Sequence, residues 1–399
     1  IFIFHQTAIS MKRTALVLSG GGFKGAFQVG ALAYLKENWT KIIPHKPNMH
    51  FDIIAGVSVG SLNGLLIAQD KFGELIELWD KVAENGVGEI YQSDFIDTRP
   101  DHSDPDPKLK MSISWKSIRK HFPKTTRNIL LRALFNRQRM LDALREEFQG
   151  FQSIADNTPL RNKLLEYAKK ENIQNAIYKC GYVSLSDGKY FATKHEDFDS
   201  NEDFLDGVLA STAMPIIWKP IEKIKAQSKV APAQQVVDGG IRNVSPLSDV
   251  IKEIARSFPD DEFTIIIINC NSGEIPEDPP GTKRNIAQIA LRSLVEISIT
   301  EIFNNDIKEF MDKNYLVKQV KSKFPEEVIH DYDFANNAQG KPLKFFEAII
   351  IQPDNGILGD TLTANRPLVQ RRLNHGKQKA KLALKKHLEN KDPFKFTIV

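Results

Sequence analysis

Gly56-Val57-Ser58-Val59-Gly60 sets a serine between two glycines in a G-x-S-x-G pattern. A serine hydroxyl is a weak nucleophile until a neighbouring base takes its proton and a turn exposes it. This pattern builds such a turn. The chain reverses so sharply that the residues flanking the serine must be glycine or small, and the N-terminus of the next helix favours developing negative charge. The chemistry suggested is acyl transfer through a covalent serine intermediate. Alone, the pattern also fits a glycine-rich strand–helix turn with an inert serine, so its context must decide.

Gly20-Gly21-Gly22-Phe23-Lys24-Gly25 is the second signal. Glycines bring backbone close to a ligand and leave N–H groups free to face an anion. One reading is an oxyanion hole, where losing a single donor costs about 2.7–4 kcal/mol of transition-state stabilisation. The other is a dinucleotide fingerprint, since the same residues satisfy G-x-G-x-x-G. That reading needs an acid at the end of the second strand for the ribose. Here that strand ends in the serine turn and its one acid, Asp52, stands at the start, so the nicotinamide reading fails. The third signal is Asp238-Gly239-Gly240 behind Val236-Val237, where a carboxylate at a strand end is a candidate orienting group or base. Asp-Gly by itself is mostly turn chemistry.

The elements that must position these residues follow from hydrophobic period. Ala15 to Leu18 reads as a buried strand running into the glycines, Ala26 to Glu37 as a helix, Phe51 to Ala55 as a strand, and Ser61 to Ala68 as a helix. A strand–helix–strand unit of this kind predicts an α/β fold with a largely parallel sheet. Ile177 to Ser186 and Lys189 to Thr193 flank Asp187-Gly188, a hairpin-turn pair. Short strands are expected at Gln235–Val237, Phe263–Asn269 and Phe346–Gln352. A lysine-rich helix around His375 to Leu388 is expected to carry a solvated face.

Composition narrows the classes. The chain has 399 residues, 41% hydrophobic and 26% charged, enough to bury a large core, which excludes a disordered tail, a collagen-like fibre and a disulfide-rich miniature. A net charge of +4 is too small to imply nucleic-acid binding. Cys180 and Cys270 alone make neither a metal cage nor a disulfide framework. His195-Glu196-Asp197 lacks a spaced partner such as H-E-x-x-H and reads as loop. No run approaches the ~20 apolar residues needed to cross a bilayer, and the opening Ile1 to Ser10 lacks a basic start, so residues 1–10 are expected to lie outside the core.

Residues 94–107 are acidic and proline-bearing, whereas 108–139 hold ten basic residues and no acid, interleaved with Trp115, Phe122 and Phe135. This stretch is expected to form a basic cap inserted at about 86–165. Three occupants fit its composition: an anionic lipid surface, nucleic-acid phosphates without any recognition motif, or plain solvent over a packed helix.

The order of Gly-Gly-Gly-Phe-Lys-Gly, Gly-Val-Ser-Val-Gly and Asp-Gly-Gly resembles the patatin-like phospholipases, and Ala210-Ser211-Thr212-Ala213-Met214-Pro215 matches a further block of that family. Together the blocks span roughly residues 14–245. The resemblance implies a three-layer α/β sandwich with helices on both faces of the sheet. It implies a phospholipase A or lysophospholipase type of serine hydrolase, working without metal or other cofactor, with Ser58 as nucleophile and Asp238 as its dyad partner. Gly21 and Gly22, with Gly20, would supply oxyanion donors. Lys24, Gly56, Gly60 and Gly239 would support the site.

The hydrolase domain is then expected over 11–275, followed by a C-terminal extension of mixed helix and strand over 276–399. Expected partners are an acyl-ester lipid and, through 108–139, an anionic membrane, with no nucleic acid; the expected location is cytoplasmic with peripheral membrane contact. Rivals are a Ser–Asp–His triad using His330, His375 or His387, a soluble carboxylesterase or thioesterase, and a lipid-binding relative without turnover.

Overall fold

The computed structural model describes residues 11–110, 120 and 152–399, apart from 45, 228–230, 276, 278–279, 285–288, 291 and 334–335. The expected extension 1–10 and most of the basic stretch 108–139 lie outside the described residues.

Eleven strands are described: β1 (Lys12–Leu18), β2 (Ile53–Val57), β3 (Ile177–Ser184), β4 (Tyr190–Lys194), β5 (Ile221–Ile224), β6 (Ala233–Asp238), β7 (Glu262–Ile268), β8 (His330–Asp333), β9 (Ala338–Pro342), β10 (Glu347–Ile351) and β11 (Phe396–Ile398). Nine form one sheet in the order β11-β10-β7-β1-β2-β3-β6-β5, with β4 on the free edge of β3. From β11 to β3 every pairing is parallel, while β4, β5 and β6 join antiparallel. The predicted α/β class and mostly parallel sheet are therefore present.

Among the described residues, the α-helices of two turns or more are α1 (Ala26–Glu37), α2 (Val59–Ala68), α3 (Phe72–Asn85), α4 (Thr158–Tyr167), α5 (Asn201–Ala210), α6 (Leu247–Ser257), α7 (Ile299–Lys321) and α8 (Arg366–Glu389). Alternation along the strands sends their side chains into two separate cores. Leu16, Leu18, Ile54, Ile266, Ile268, Ile349 and Ile351 pack beneath α1, α2 and α8. Ala15, Val17, Ile53, Ile265, Ile267 and Ile350 pack against Leu247, Val250 and Ile254 of α6 and Phe303, Ile307 and Phe310 of α7. Residues apolar on both faces of a strand require cover on both sides, which gives the three-layer sandwich.

The strand expected at Phe346–Gln352 is present as β10, which pairs with β7 and carries β11 beyond it, so residues after 276 extend the central sheet. One departure from the expected elements has a clear cause. The lysine-rich helix starts at Arg366, capped by the Asn365 side chain accepting from the Leu368 N–H, nine residues earlier than its hydrophobic period suggests. Its lysines 377, 381, 385 and 386 do face solvent, but Arg372, Ala380, Ala383 and Leu384 are buried against the sheet layer. Among the described residues no helix is long and apolar enough to cross a membrane.

Candidate active site

Strand β2 delivers Ser58 at its end. Val57 pairs with Gly181 of β3, then Ser58 turns the chain with φ 55° and ψ −130°, and α2 begins at Val59. A non-glycine residue at positive φ costs on the order of 1–3 kcal/mol and persists only where its surroundings fix it. Here the Ser58 N–H donates to Ser211 Oγ at 3.1 Å, while the Ser58 carbonyl accepts from the Ser61 N–H and hydroxyl at 2.9 and 2.6 Å. The reversal presses α2 onto the ends of β1 and β2. A Cβ on Gly60 would stand 2.2 Å from the Leu18 carbonyl oxygen, so glycine is obligatory there.

Register brings Asp238 to the same point. β3 carries β4 on one edge and both β2 and β6 on the other: β2 runs parallel to it as far as Val57 opposite Gly181, and antiparallel β6 arrives with Asp238 opposite Tyr182. The two strands meet end to end, and residues 180 apart in sequence become neighbours. The Ser58 hydroxyl stands beside the Asp238 carboxylate and pulls it toward the ionised form, and the Gly240 N–H donates to Oδ1 at 2.7 Å. Asp238 is only 5% exposed. Burial raises its pKa from 3.8 to about 7 against the opposing pull of the Gly240 N–H and the neighbouring Ser58 hydroxyl.

The fourth sequence block acquires a role that pattern alone did not disclose. Ser211 holds the Ser58 N–H, and the Ala213 carbonyl accepts the Asp238 N–H at 3.0 Å, so one turn after α5 ties the two residues together. The sequence signal was the block Ala210 to Pro215, whose family likeness named no role for Ser211 or Ala213.

The glycine loop lies beside Ser58, a Cβ on Gly20 falling 3.3 Å from the Ser58 Cβ. It differs from expectation in one respect. The Gly20 N–H donates to the Val244 carbonyl at 3.0 Å and is spent, which leaves Gly21 and Gly22 as the candidate anion donors. Gly22 has φ 53°, and the Phe23 N–H after it bonds the Thr361 carbonyl at 2.9 Å. Lys24 is half-buried, and desolvation followed by repulsion from Arg372 lowers its pKa.

Ser58 opens into an apolar cavity lined by Leu62, Leu66, Leu75, Leu78, Trp79, Val82, Ile90, Leu160, Leu164, Met214 and Trp218. Lys163, paired with Glu89 at 2.5 Å, is the one charged side chain of the lining among the described residues. The triad candidates have other engagements. His387 bonds Glu347 and Thr397, His375 accepts from the Asp354 N–H, and His330 is exposed on the β8–β9 hairpin. None lines the cavity. His195, buried in a single turn, accepts the Tyr178 N–H at Nδ1, and no group of three metal-ligating side chains occurs among the described residues.

A strand-end serine in a strained turn, a buried carboxylate beside it and an apolar cavity thus lie together on the α/β sheet. The model of the patatin-like phospholipase family matches residues 16–251, and the chain belongs to that family. No curated protein matches the sequence. Among solved structures, VipD from Legionella pneumophila aligns at 14% identity over 97% of this chain and 72% of VipD, with a TM-score of 0.37. The type III effector protein ExoU aligns at 14% identity over 96% of this chain, with a TM-score of 0.32; this chain spans 54% of ExoU.

Proposed function

We propose that the protein hydrolyses carboxyl esters of lipids, in the manner of a phospholipase A or lysophospholipase, through an acyl-enzyme on Ser58 with Asp238 as the sole proton acceptor. The juxtaposition of Ser58 and the buried Asp238 at the mouth of an apolar cavity carries this reading.

An aspartate is ordinarily too weak a base for a serine hydroxyl, with a pKa near 3.9. Desolvation raises it to about 7, which removes much of that deficit and leaves the group about half ionised at neutral pH and a useful proton acceptor. Ser58 Oγ attacks the ester carbonyl as its proton passes to Asp238. The tetrahedral oxyanion is met by the Gly21 and Gly22 N–H groups, and the C–O bond to the leaving alcohol breaks as Asp238 returns the proton to it. Water then attacks the acyl-enzyme with Asp238 again as base, releasing the fatty acid and restoring Ser58. The acyl chain occupies the cavity among Leu62, Leu75 and Trp79.

Residues 108–139, with ten basic residues and no acid, fit peripheral contact with anionic lipid, which salt-sensitive co-sedimentation on phosphatidylserine vesicles would register. The test of the reaction is turnover of phosphatidylcholine, lysophosphatidylcholine and simple aryl esters by the wild type, Ser58→Ala and Asp238→Asn. Fatty-acid release from the phospholipids that both substitutions abolish supports the reading. Turnover of aryl esters alone points to a carboxylesterase, and binding without turnover to a lipid-binding relative.

A further inference from the structure

Arg372 is fully buried on α8, outside the matched family region of residues 16–251. Its guanidinium bonds four backbone carbonyls: Leu358 at 2.8 Å, Phe23 at 3.1 Å, Thr363 at 3.0 Å and Asp360 at 2.5 Å. Burying a cation is costly, and the usual compensation is a bonded carboxylate. Here carbonyl oxygens supply it.

Three of those carbonyls belong to the segment just before α8, and bonding them closes a local loop. The fourth, Phe23, is 349 residues away in sequence. Phe23 is held from both sides, because its N–H donates to the carbonyl of Thr361 in that same segment. Gly22 precedes it at φ 53°, and a Cβ there would stand 2.5 Å from the Thr361 oxygen. The C-terminal segment thus grips the backbone at the exit of the glycine loop, one residue from the Gly22 N–H.

We infer that Arg372 is a positioning residue for the proposed Ser58 reaction: by fixing the Phe23 carbonyl it holds the peptide planes that aim the Gly21 and Gly22 N–H groups at the ester oxygen. This rests on the serine-hydrolase reading of the site. A planar guanidinium fork reaches four carbonyls in different directions, which a lysine ammonium cannot reproduce although it keeps the charge.

The experiment compares the full-length wild type with Arg372→Lys and Arg372→Gln. It reads kcat and KM on a short-chain aryl ester, thermal unfolding, and hydrogen–deuterium exchange of the peptide covering residues 19–27. Losing one correctly aimed oxyanion donor costs about 10²–10³ in kcat, so a misaimed pair should cost at least about tenfold, with KM within about twofold of the wild type. Exchange over residues 19–27 should quicken in the folded variant. A folded variant with wild-type kcat, a defect confined to KM, or unchanged exchange over residues 19–27 would overturn the inference. Failure of both variants to fold would make Arg372 a folding residue and overturn it equally. If the wild type itself neither turns over nor reacts at Ser58, the serine-hydrolase reading and the catalytic role fall, while exchange still decides whether Arg372 braces the loop.

Discussion

Replacing Asp238 by asparagine should inactivate the protein and stabilise its fold in the same step. Burial raises the carboxyl from 3.8 to about 7, so between those values the native state binds a proton that the unfolded chain has lost. Wild-type stability therefore falls as pH rises through that window. The gap is about three pH units at about 1.36 kcal/mol each, or about 4 kcal/mol in all, of which about 3 kcal/mol lies between pH 5 and pH 8. Asparagine accepts the Gly240 N–H through its amide oxygen and never ionises, so it escapes this loss. Urea denaturation of both proteins at the two pH values isolates the effect. Asp306, also raised to about 7 by burial, titrates in both and cancels in the difference. The asparagine variant should gain about 3 kcal/mol on the wild type between pH 5 and pH 8, and wild-type kcat/KM should rise through an acid limb near pH 7. A stability difference unchanged with pH, or a rate that stays flat from pH 5 to pH 8, would refute the reasoning.

Other perturbations test separate parts of the account. Ser211→Ala leaves the Ser58 N–H without its 3.1 Å acceptor and should destabilise the fold by about 1–3 kcal/mol while slowing turnover, read by denaturation and kinetics on the same sample. Gly60→Ala forces a Cβ to 2.2 Å from the Leu18 carbonyl and should remove more than about 3 kcal/mol of stability, visible as a large fall in Tm. Leu78→Trp fills part of the cavity and should cut turnover of long-chain esters about tenfold while sparing butyrate esters, read from a chain-length series. His375→Ala and His387→Ala should leave kcat within about threefold, since both rings are engaged away from the cavity; abolished turnover in a folded variant would restore the triad.

The part of the fold built from local pattern was legible. Ala26–Glu37 is a helix with the expected bounds, and Gly188 turns the β3–β4 hairpin at φ 68°. Both depend on neighbours in sequence, through hydrophobic period and turn chemistry. What escaped depends on distant partners. Strands β5 and β11 are short and carry exposed or half-buried residues, so no alternation stands out, and only pairing with β6 and β10 makes them strands. Arg372 lies just before the stretch read as a lysine-rich helix, and its partner at the Phe23 carbonyl is 349 residues away in sequence. Glycine content marked the glycine loop, but the loss of the Gly20 N–H to Val244 is a tertiary contact that no local pattern encodes.

The central claim, an activated Ser58 served by Asp238, is tested most directly by reaction with a fluorophosphonate followed by peptide mapping. The account predicts a single covalent adduct on Ser58 in the wild type and labelling slowed at least about hundredfold in Asp238→Asn. An adduct on another residue, no adduct on the folded protein with or without lipid vesicles, or equal labelling of the two proteins would contradict it.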